Sequence, residues 1–385
     1  MKKVGHFGTF DVDNYGDLLF PHIAEFRLPK YQWDHISPTN NQTVFKDSRP
    51  IISFDKAKNN AYDAILIGGG NILHLLPNYV TVYNNKKGFA YANLWVGAAK
   101  IAIEQKIPLL FNAPGISRGF KGFIQKKIAI KTFKSSNYLA FREGISKQIV
   151  SNSIKRDLNF KNKICVVPDT AFDIHKLWPL DTSTGSNYIT INLNSRYHCP
   201  INETAKELDA LSKKLKMPIK LIIIGDCHGD KFFTEQVSKL MKCDYSIVES
   251  DELKTVAHVI GKGKYFLGSS MHGFITALAY GVPSFLVLNN KSKVLHKFKG
   301  LLELAELSNN VILNSFNNVG NKLNESAYLT KQVKQKIDNT LNEHWQVLNN
   351  IIQSKEKPKF SFYIVKFDTL LNLSNRFNRI LNKFF

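Results

Sequence analysis

Residues 265–288, YFLGSSMHGFITALAYGVPSFLVL, contain two apolar runs on either side of a segment with helical composition. The run 265–267 predicts a buried strand, and 284–288 predicts another. Gly281 and Pro283 are typical of the end of the helix between them. This strand, helix, strand succession predicts an α/β unit with parallel strands.

The start of that helix carries the polar residues of the stretch. Ser269 or Ser270 is suited to cap it, and its free N–H groups would face any bound anion. In open α/β sheets ligands bind at the carboxyl ends of the strands, where an imidazole can bind phosphate and move a proton. We therefore predict that Ser269, Ser270, Met271 and Gly273 bind an anionic donor and that His272 is catalytic. A hydrogen-bonded structural histidine is the alternative.

Strand and helix patterns of this kind alternate along most of the chain. A first series extends to about residue 178, the segment 179–186 has linker composition, and a second series begins at 188. Two α/β series predict two Rossmann-like lobes that face a cleft. We place the lobes and the remaining C-terminal tail at residues 1–178, 186–345 and 346–385.

Composition limits the partners. The formal net charge of +21 suggests nucleic acid, an anionic membrane or a polyanionic substrate, but the lysines are dispersed and no nucleic-acid-binding motif is present, so we predict no nucleic acid. Four scattered cysteines indicate neither a disulfide framework nor a zinc site. No run approaches the roughly 18 apolar residues that a membrane-spanning helix needs, and the N-terminus lacks a signal-peptide core. We expect a cytoplasmic protein.

The tail has an amphipathic pattern. From Phe367 onward apolar residues recur at helical spacing, and Arg376, Arg379 and Lys383 lie on the opposite face. The pattern predicts an amphipathic helix that binds an anionic membrane and makes the protein peripheral at the inner face of the cytoplasmic membrane. A terminal helix packed on the protein body is the alternative.

Polar and glycine motifs follow two strands of the first series. Asn14, Gly16 and Asp17 come after the first strand, where Asn14 and Asp17 either hold a sugar hydroxyl or, for Asp17, cap the next helix. Three glycines and an asparagine after strand 64–67 allow close backbone approach to a ligand or form a tight turn. These last candidates are Gly68, Gly69, Gly70 and Asn71.

Arg142 follows another predicted strand. Its guanidinium offers forked donors to a phosphate or carboxylate, or is paired with Glu143 or Asp169. In the second lobe, Asn192, Asn194 and Arg196 follow the strand that starts at 188. We expect them to face the cleft.

In their order and spacing these motifs resemble the polysaccharide pyruvyl transferase family over about residues 4–290. The matching elements are Asn14-x-Gly16-Asp17, Gly68-Gly69-Gly70, Arg142-Glu143 with Ser146, Pro168-Asp169-Thr170-Ala171-Phe172, and Ser270-x-His272-Gly273 with Gly281-x-Pro283. The resemblance implies a GT-B-like fold and transfer of the enolpyruvyl group of phosphoenolpyruvate onto two hydroxyls of a sugar. The product would be a pyruvate ketal in a precursor of a cell-surface polysaccharide, such as a capsule or exopolysaccharide.

The resemblance also implies roles for residues. His272 and Arg142 would be catalytic, Asp169 would belong to the cleft, and the acceptor would be a sugar or a lipid-linked oligosaccharide. Phosphoenolpyruvate is then a substrate, and we expect no cofactor and no metal. Many members carry an arginine where this chain has Ser270, so we expect Arg196 or Lys264 to replace that cation at the donor.

Two other functions fit the same lobes. A GT-B glycosyltransferase would use a nucleotide-sugar donor, but we find no acidic residue placed for its ribose after Pro283. A non-catalytic glycan-binding protein at the membrane surface is the second alternative.

Overall fold

The computed structural model describes most of the chain. The described residues are 1–75, 83, 90–116, 119–153, 158–181, 187–195, 197–198, 200–226, 229–288, 295–354, 356–358, 366–367 and 369.

Two parallel β-sheets organise these residues, one of seven strands and one of six. The strands of the first sheet are β1 (Lys3–Phe7), β2 (Gln32–Ser37), β3 (Ile51–Ser53), β4 (Ala64–Ile67), β5 (Leu109–Phe111), β6 (Tyr138–Phe141) and β7 (Ile164–Val166). Those of the second sheet are β8 (Ile189–Asn192), β9 (Ile219–Ile222), β10 (Tyr245–Val248), β11 (Tyr265–Gly268), β12 (Ser284–Val287) and β13 (Ile312–Leu313).

Helices connect the strands and cover the sheets. The first lobe contains α1 (Tyr15–Arg27), α2 (Phe54–Ala57), α3 (Ala90–Ala92), a π-helical turn (Asn93–Gly97), α4 (Ala98–Gln105), α5 (Gly122–Ser135), α6 (Gly144–Ser153), α7 (Leu158–Lys161) and α8 (Ile174–Leu177). The second part of the chain contains α9 (Ile201–Leu215), α10 (Asp230–Ser238), α11 (Leu253–Lys262), α12 (Met271–Tyr280), α13 (Leu295–Leu304) and α14 (Lys331–Ser354).

Both sheets have the same strand order. The first runs β3-β2-β1-β4-β5-β6-β7 and the second β10-β9-β8-β11-β12-β13, with every pair parallel. In each sheet the direction of winding changes once, between β1 and β4 and between β8 and β11. This doubly wound order, found twice, confirms the predicted pair of Rossmann-like lobes.

Two strands of the first sheet were not predicted. β2 (Gln32–Ser37) contains Gln, Asp, His and Ser, and β3 (Ile51–Ser53) has only three residues. β3 is the edge strand and β2 lies next to it, and only three of the six residues of β2 and none of β3 are buried. The apolar runs that sequence patterns detect are typical of central parallel strands, so these two escaped detection.

The longest helix, α14, returns to the first lobe. Its apolar residues recur at helical spacing, and Trp345 and Leu348 are among those that are buried. The side chain of His344 hydrogen bonds to Asn112 (2.8 Å), and Tyr31 donates to Asn349 (2.7 Å). This helix is continuous through residues 345 and 346, where the sequence places the start of the tail, and that boundary stays a prediction.

The remaining domain predictions concern segments that lie partly outside the described residues. Residues 182–186 of the predicted linker lie outside them, and the division at 178 and 186 stays a prediction. Most of the amphipathic tail also lies outside. Among the helices that the structure describes, none has both the length and the apolar character that crossing a bilayer requires.

Candidate active site

A cleft lies where the winding of both sheets changes direction. The loops after β1 and β4 face those after β8 and β11, and together they enclose a cavity of about 250 Å³. Doubly wound sheets bind ligands at this point. The first lobe lines the cavity with Thr9, Asn14, Asp17, Asn71, His74 and Arg142, and the second with Asn192, Asn194, Ser269, Ser270, Met271 and His272.

Two of the helices that begin at this cleft have a side-chain cap. Ser270 caps α12, where its Oγ accepts a hydrogen bond from the Gly273 N–H (3.2 Å). Asn14 caps α1, where its Oδ1 accepts from the Gly16 N–H (3.2 Å). The first N–H groups of a helix lack intrahelical partners and carry a partial positive charge, so both helix ends favour an anion. The predicted cap at Ser270 is confirmed, and Asn14 rather than Asp17 caps the first helix.

Backbone pairing joins the two lobes beside α1. Asn14 forms an isolated antiparallel bridge with Gly225, and the Tyr15 N–H donates to the Ile224 carbonyl (2.9 Å). The Asp226 N–H donates in turn to the Asp13 carbonyl (3.1 Å). These contacts set the position of the α1 N-terminus relative to the second lobe.

Asp169 brings together the two residues with the strongest predicted roles. Its Oδ2 accepts a hydrogen bond from Arg142 Nη1 (3.0 Å) and lies 3.6 Å from Nε2 of His272. Its Oδ1 accepts from the Ala171 N–H (3.0 Å). Although burial alone would raise the pKa of Asp169, the nearby His272 and then Arg142 lower it to about 2. A buried carboxylate therefore lies between the guanidinium and the imidazole.

The guanidinium of Arg142 is held by two carboxylates. Besides Asp169, it donates through Nε to Glu143 (3.0 Å). Glu143 also accepts from the Ser146 hydroxyl (2.5 Å), and that hydroxyl accepts from the Ile116 N–H (2.8 Å). The structural pairing that the sequence left open is thus present, and it orients Arg142 at the cleft wall.

Asp17 is a second buried carboxylate, at the start of α1. Burial raises its pKa to about 6, since the charge of Asp169 adds to the effect and those of His272 and Arg142 only partly offset it. Asn14 donates to its Oδ2 (3.0 Å), and Thr9 also hydrogen bonds to it. A carboxyl group with this pKa can exchange a proton near neutral pH.

The glycines of the predicted motifs make room for side chains of the site. A Cβ atom on Gly16 would approach Nδ1 of His272 to 1.7 Å. Gly70 has a φ of +74°, and its Cα faces Asp17, while Gly69 packs against the ring of Phe20. That ring contacts the imidazole edge to face, at 5.5 Å between centroids. The glycines at 69 and 70 therefore allow α1 to pack closely against the loop after β4.

Several polar atoms in the cleft lack a protein partner. Among the described residues, none donates to or accepts from Oδ1 of Asn71, Oδ1 of Asn192 or Oγ of Ser269, although all three atoms are buried. Leaving a buried polar atom unpaired is unfavourable. Three such atoms around one cavity indicate a polar ligand.

Other predicted residues lie elsewhere. Arg196 lies outside the described residues. Lys264 is exposed and precedes β11, so it is at the amino end of a strand whose carboxyl end faces the cleft, and the prediction that it reaches the donor is wrong. Ser270, which occupies the position where many family members have an arginine, uses its side chain to cap α12.

Sequence reasoning missed two parts of the cleft. His74, three residues after Asn71 in the sequence, lines the cleft. Its position shortly after β4 could have indicated this. Asp230, the first residue of α10, accepts from Asn194 (2.5 Å) and Asn192 (3.4 Å). Its pairing with residues almost forty positions earlier leaves no local pattern.

Several solved structures of UDP-GlcNAc 2-epimerases have a similar fold. A putative UDP-N-acetylglucosamine 2-epimerase from Listeria monocytogenes has a TM-score of 0.56 at 10% identity, covering 94% of this chain and 99% of that one. The UDP-GlcNAc 2-epimerase from Methanocaldococcus jannaschii has a TM-score of 0.55 at 14% identity, covering 91% and 100%. That from Neisseria meningitidis, bound to UDP-GlcNAc, has 0.52 at 12%, covering 92% and 100%. At these identities the likeness shows the GT-B-like fold alone.

Sequence comparison identifies the family. No curated protein sequence matches the chain significantly. The model of the polysaccharide pyruvyl transferase family matches residues 9–292, which include strands β2 to β12 and helix α12. With well over half of its length matched, the chain belongs to the polysaccharide pyruvyl transferase family.

Proposed function

We propose that the protein transfers the pyruvyl group of phosphoenolpyruvate to two hydroxyls of a sugar and forms a pyruvate ketal in a polysaccharide precursor. The observation that carries this proposal is the convergence on one cavity of two helix N-termini and His272, whose imidazole lies 3.6 Å from Asp169. Family membership supplies the reaction class.

The cavity suits a small anion that carries a phosphate and a carboxylate. The N-terminal ends of α1 and α12 offer N–H donors and partial positive charge to such groups. The unpartnered Ser269 hydroxyl adds a donor, and the amide oxygens of Asn71 and Asn192 can accept from sugar hydroxyls. A cavity of about 250 Å³ has room for a molecule of the size of phosphoenolpyruvate.

The chemistry requires an acid and a base. A proton added to the methylene carbon makes the neighbouring carbon electrophilic, and one sugar hydroxyl adds there and loses its proton. The bond from that carbon to the phosphate oxygen then breaks, phosphate leaves, and a second hydroxyl closes the ketal and gives up its proton. His272 performs one of the two acid steps, protonation of the carbon or of the departing phosphate.

The two buried carboxylates have separate roles in this scheme. Asp17, with a pKa raised to about 6 by burial, accepts the proton of the attacking hydroxyl. Asp169, with a lowered pKa, stays ionised and orients the imidazole of His272, and Arg142 holds Asp169 in place. Environments that drive two carboxyl pKa values apart are typical of acid–base sites.

Asp17→Asn tests the base. The amide has nearly the same shape but cannot accept the proton, so we expect kcat/KM to fall about 10²- to 10⁴-fold. In the unchanged enzyme kcat/KM should decrease as the pH falls through about 6, because Asp17 is then protonated. Asp55→Asn, at an exposed position of α2, is the matched control. Normal turnover by Asp17→Asn would exclude Asp17 as the base.

The function itself is tested by incubation with phosphoenolpyruvate and a panel of sugar acceptors. Phosphate release that depends on an acceptor, together with a pyruvylated acceptor in the mass spectrum, is the expected result. Turnover of a nucleotide sugar would instead identify a glycosyltransferase. Glycan binding without turnover of either donor would identify a binding protein.

The acceptor and the location of the reaction are further parts of the proposal. A lipid-linked oligosaccharide at the inner face of the cytoplasmic membrane would place the acceptor beside a basic protein of net charge +21. The amphipathic tail would contribute to membrane binding. No cofactor enters the proposed reaction.

A further inference from the structure

Helix α5 of the first lobe exposes a basic face. Phe123 is 75% exposed, Lys126 and Lys131 are exposed, and Lys127 and Lys134 are half-buried. Spacings of three and four residues place these side chains on one side of the helix. Residues 119–135 contain no acidic residue.

The opposite side of the same helix is anchored in the lobe. Ile128, Ala129, Thr132 and Phe133 are buried, and the ring of Phe133 stacks on that of Trp95. The exposed face is therefore a fixed surface of a packed helix.

Much of the charge on this face is uncompensated. Within the described part of the chain, Lys126, Lys131 and the preceding Lys121 form no ion pair. The ammonium group of Lys127 lies 5.2 Å from the centre of the Phe123 ring. An exposed aromatic ring among lysines is the composition of surfaces that bind the boundary of an anionic bilayer.

The position of α5 relates this face to the cleft. The helix follows β5, and the loop between them passes Gly68 and Arg142, where the Cα of Gly115 faces the guanidinium. The N-terminus of α5, with Phe123, therefore lies on the side of the first sheet where the strands have their carboxyl ends. The cleft opens on the same side.

The end of the chain returns to the same lobe. Asn137, just after α5, donates to the Lys357 carbonyl (3.3 Å). Phe367 is 2% exposed and belongs to the apolar cluster that contains Ile128 and Phe133. The amphipathic sequence that follows thus starts from the lobe that carries the basic face.

We propose that the exposed lysines and Phe123 of α5 dock the first lobe on the surface of an anionic lipid bilayer. Each lysine at such a surface contributes about a fivefold gain in binding, and the phenylalanine inserts into the boundary between headgroups and acyl chains. The docking does not depend on the proposed reaction. If that reaction holds, docking brings the cleft to a lipid-linked acceptor.

Cosedimentation of the full chain with phosphatidylcholine vesicles, with or without phosphatidylserine, tests the docking. We expect binding only to the anionic vesicles and a loss of about 100-fold for the triple variant Lys121→Gln, Lys126→Gln, Lys131→Gln. The matched control changes three exposed lysines of the second lobe, Lys206→Gln, Lys213→Gln and Lys239→Gln, and should bind nearly normally. Equal losses in both triple variants would show that total charge, not this face, governs binding.

Two further variants distinguish a bilayer from a soluble polyanion, and helix α5 from the tail. Phe123→Ser should weaken vesicle binding about tenfold but leave binding to soluble heparin unchanged, because only a bilayer offers an apolar boundary. If this variant bound vesicles as well as the wild type, Phe123 would not insert into the bilayer. That result would contradict docking on lipid and favour a soluble polyanion as the ligand. A chain ending at residue 369 should keep most of its binding, and complete loss would assign docking to the tail. None of these measurements requires turnover, so their failure is distinct from failure of the proposed reaction.

Discussion

His272→Ala is expected to lose pyruvyl transfer by about 10²- to 10⁴-fold, the range that one acid–base group supplies. The imidazole is the titratable group that the second lobe brings to Asp169, and its Nε2 has no other partner among the described residues. Stability should change little, because Asp169 keeps its hydrogen bonds from Arg142 and the Ala171 N–H. Acceptor-dependent phosphate release and thermal unfolding measure the two effects.

Kinetics of the same variant also separate the two roles of His272. A proton donor contributes in the transition state, so its loss lowers kcat with a small change in KM for phosphoenolpyruvate. A phosphate ligand contributes to binding as well, so its loss raises KM. His258→Ala, a half-buried histidine of α11, is the matched control. Wild-type kinetics for His272→Ala would remove this residue from the mechanism.

Gly16→Ala is expected to have an effect nearly as large, without removing any functional group. The new methyl group would lie 1.7 Å from Nδ1 and 2.2 Å from Cγ of His272, so the imidazole must move. The backbone at Gly16 is in a helix, where alanine is favourable. The loss of activity should therefore come from the contact between the new methyl group and His272. We expect activity to drop at least 10²-fold, since displacement of a catalytic group by about 1 Å costs that much.

A double variant tests whether the imidazole is displaced. If Gly16→Ala acts by moving His272, it should cost little more activity in a His272→Ala background. Gly144→Ala, near the start of another helix of the first lobe, has nothing within 4 Å of its added methyl and should be close to wild type. Full additivity in the double variant would show that Gly16 acts independently of His272.

The central strands and the helix of the opening stretch were predictable because they depend on local patterns. The apolar run before Ser270 and the glycine and proline after α12 are direct consequences of strand burial, capping and helix termination. The less buried strands β2 and β3 lack that signal. Helix α14 has clear apolar spacing, but its return to the first lobe depends on contacts such as that between His344 and Asn112.

The sequence predicted which residues lie at the cleft, but not which of their side chains contact one another. The position of each motif after a strand indicated that Asp17, Arg142 and His272 face a cleft. The sequence left open whether Arg142 binds substrate or pairs with Asp169, because that choice depends on which groups converge in space. The contact of His272 with Gly16 joins residues of different lobes, and no local pattern encodes such a pair.

The bridge between Asn14 and Gly225 bears on how the two halves of this protein can be recombined. It uses main-chain groups, so most side-chain changes at these positions leave the pairing possible. Gly225 is the exception, because its φ is +144° and a Cβ atom would approach the Asp13 carbonyl oxygen to 2.1 Å. A chimera that takes its C-terminal half from another member of the family therefore needs glycine at this junction for its halves to align.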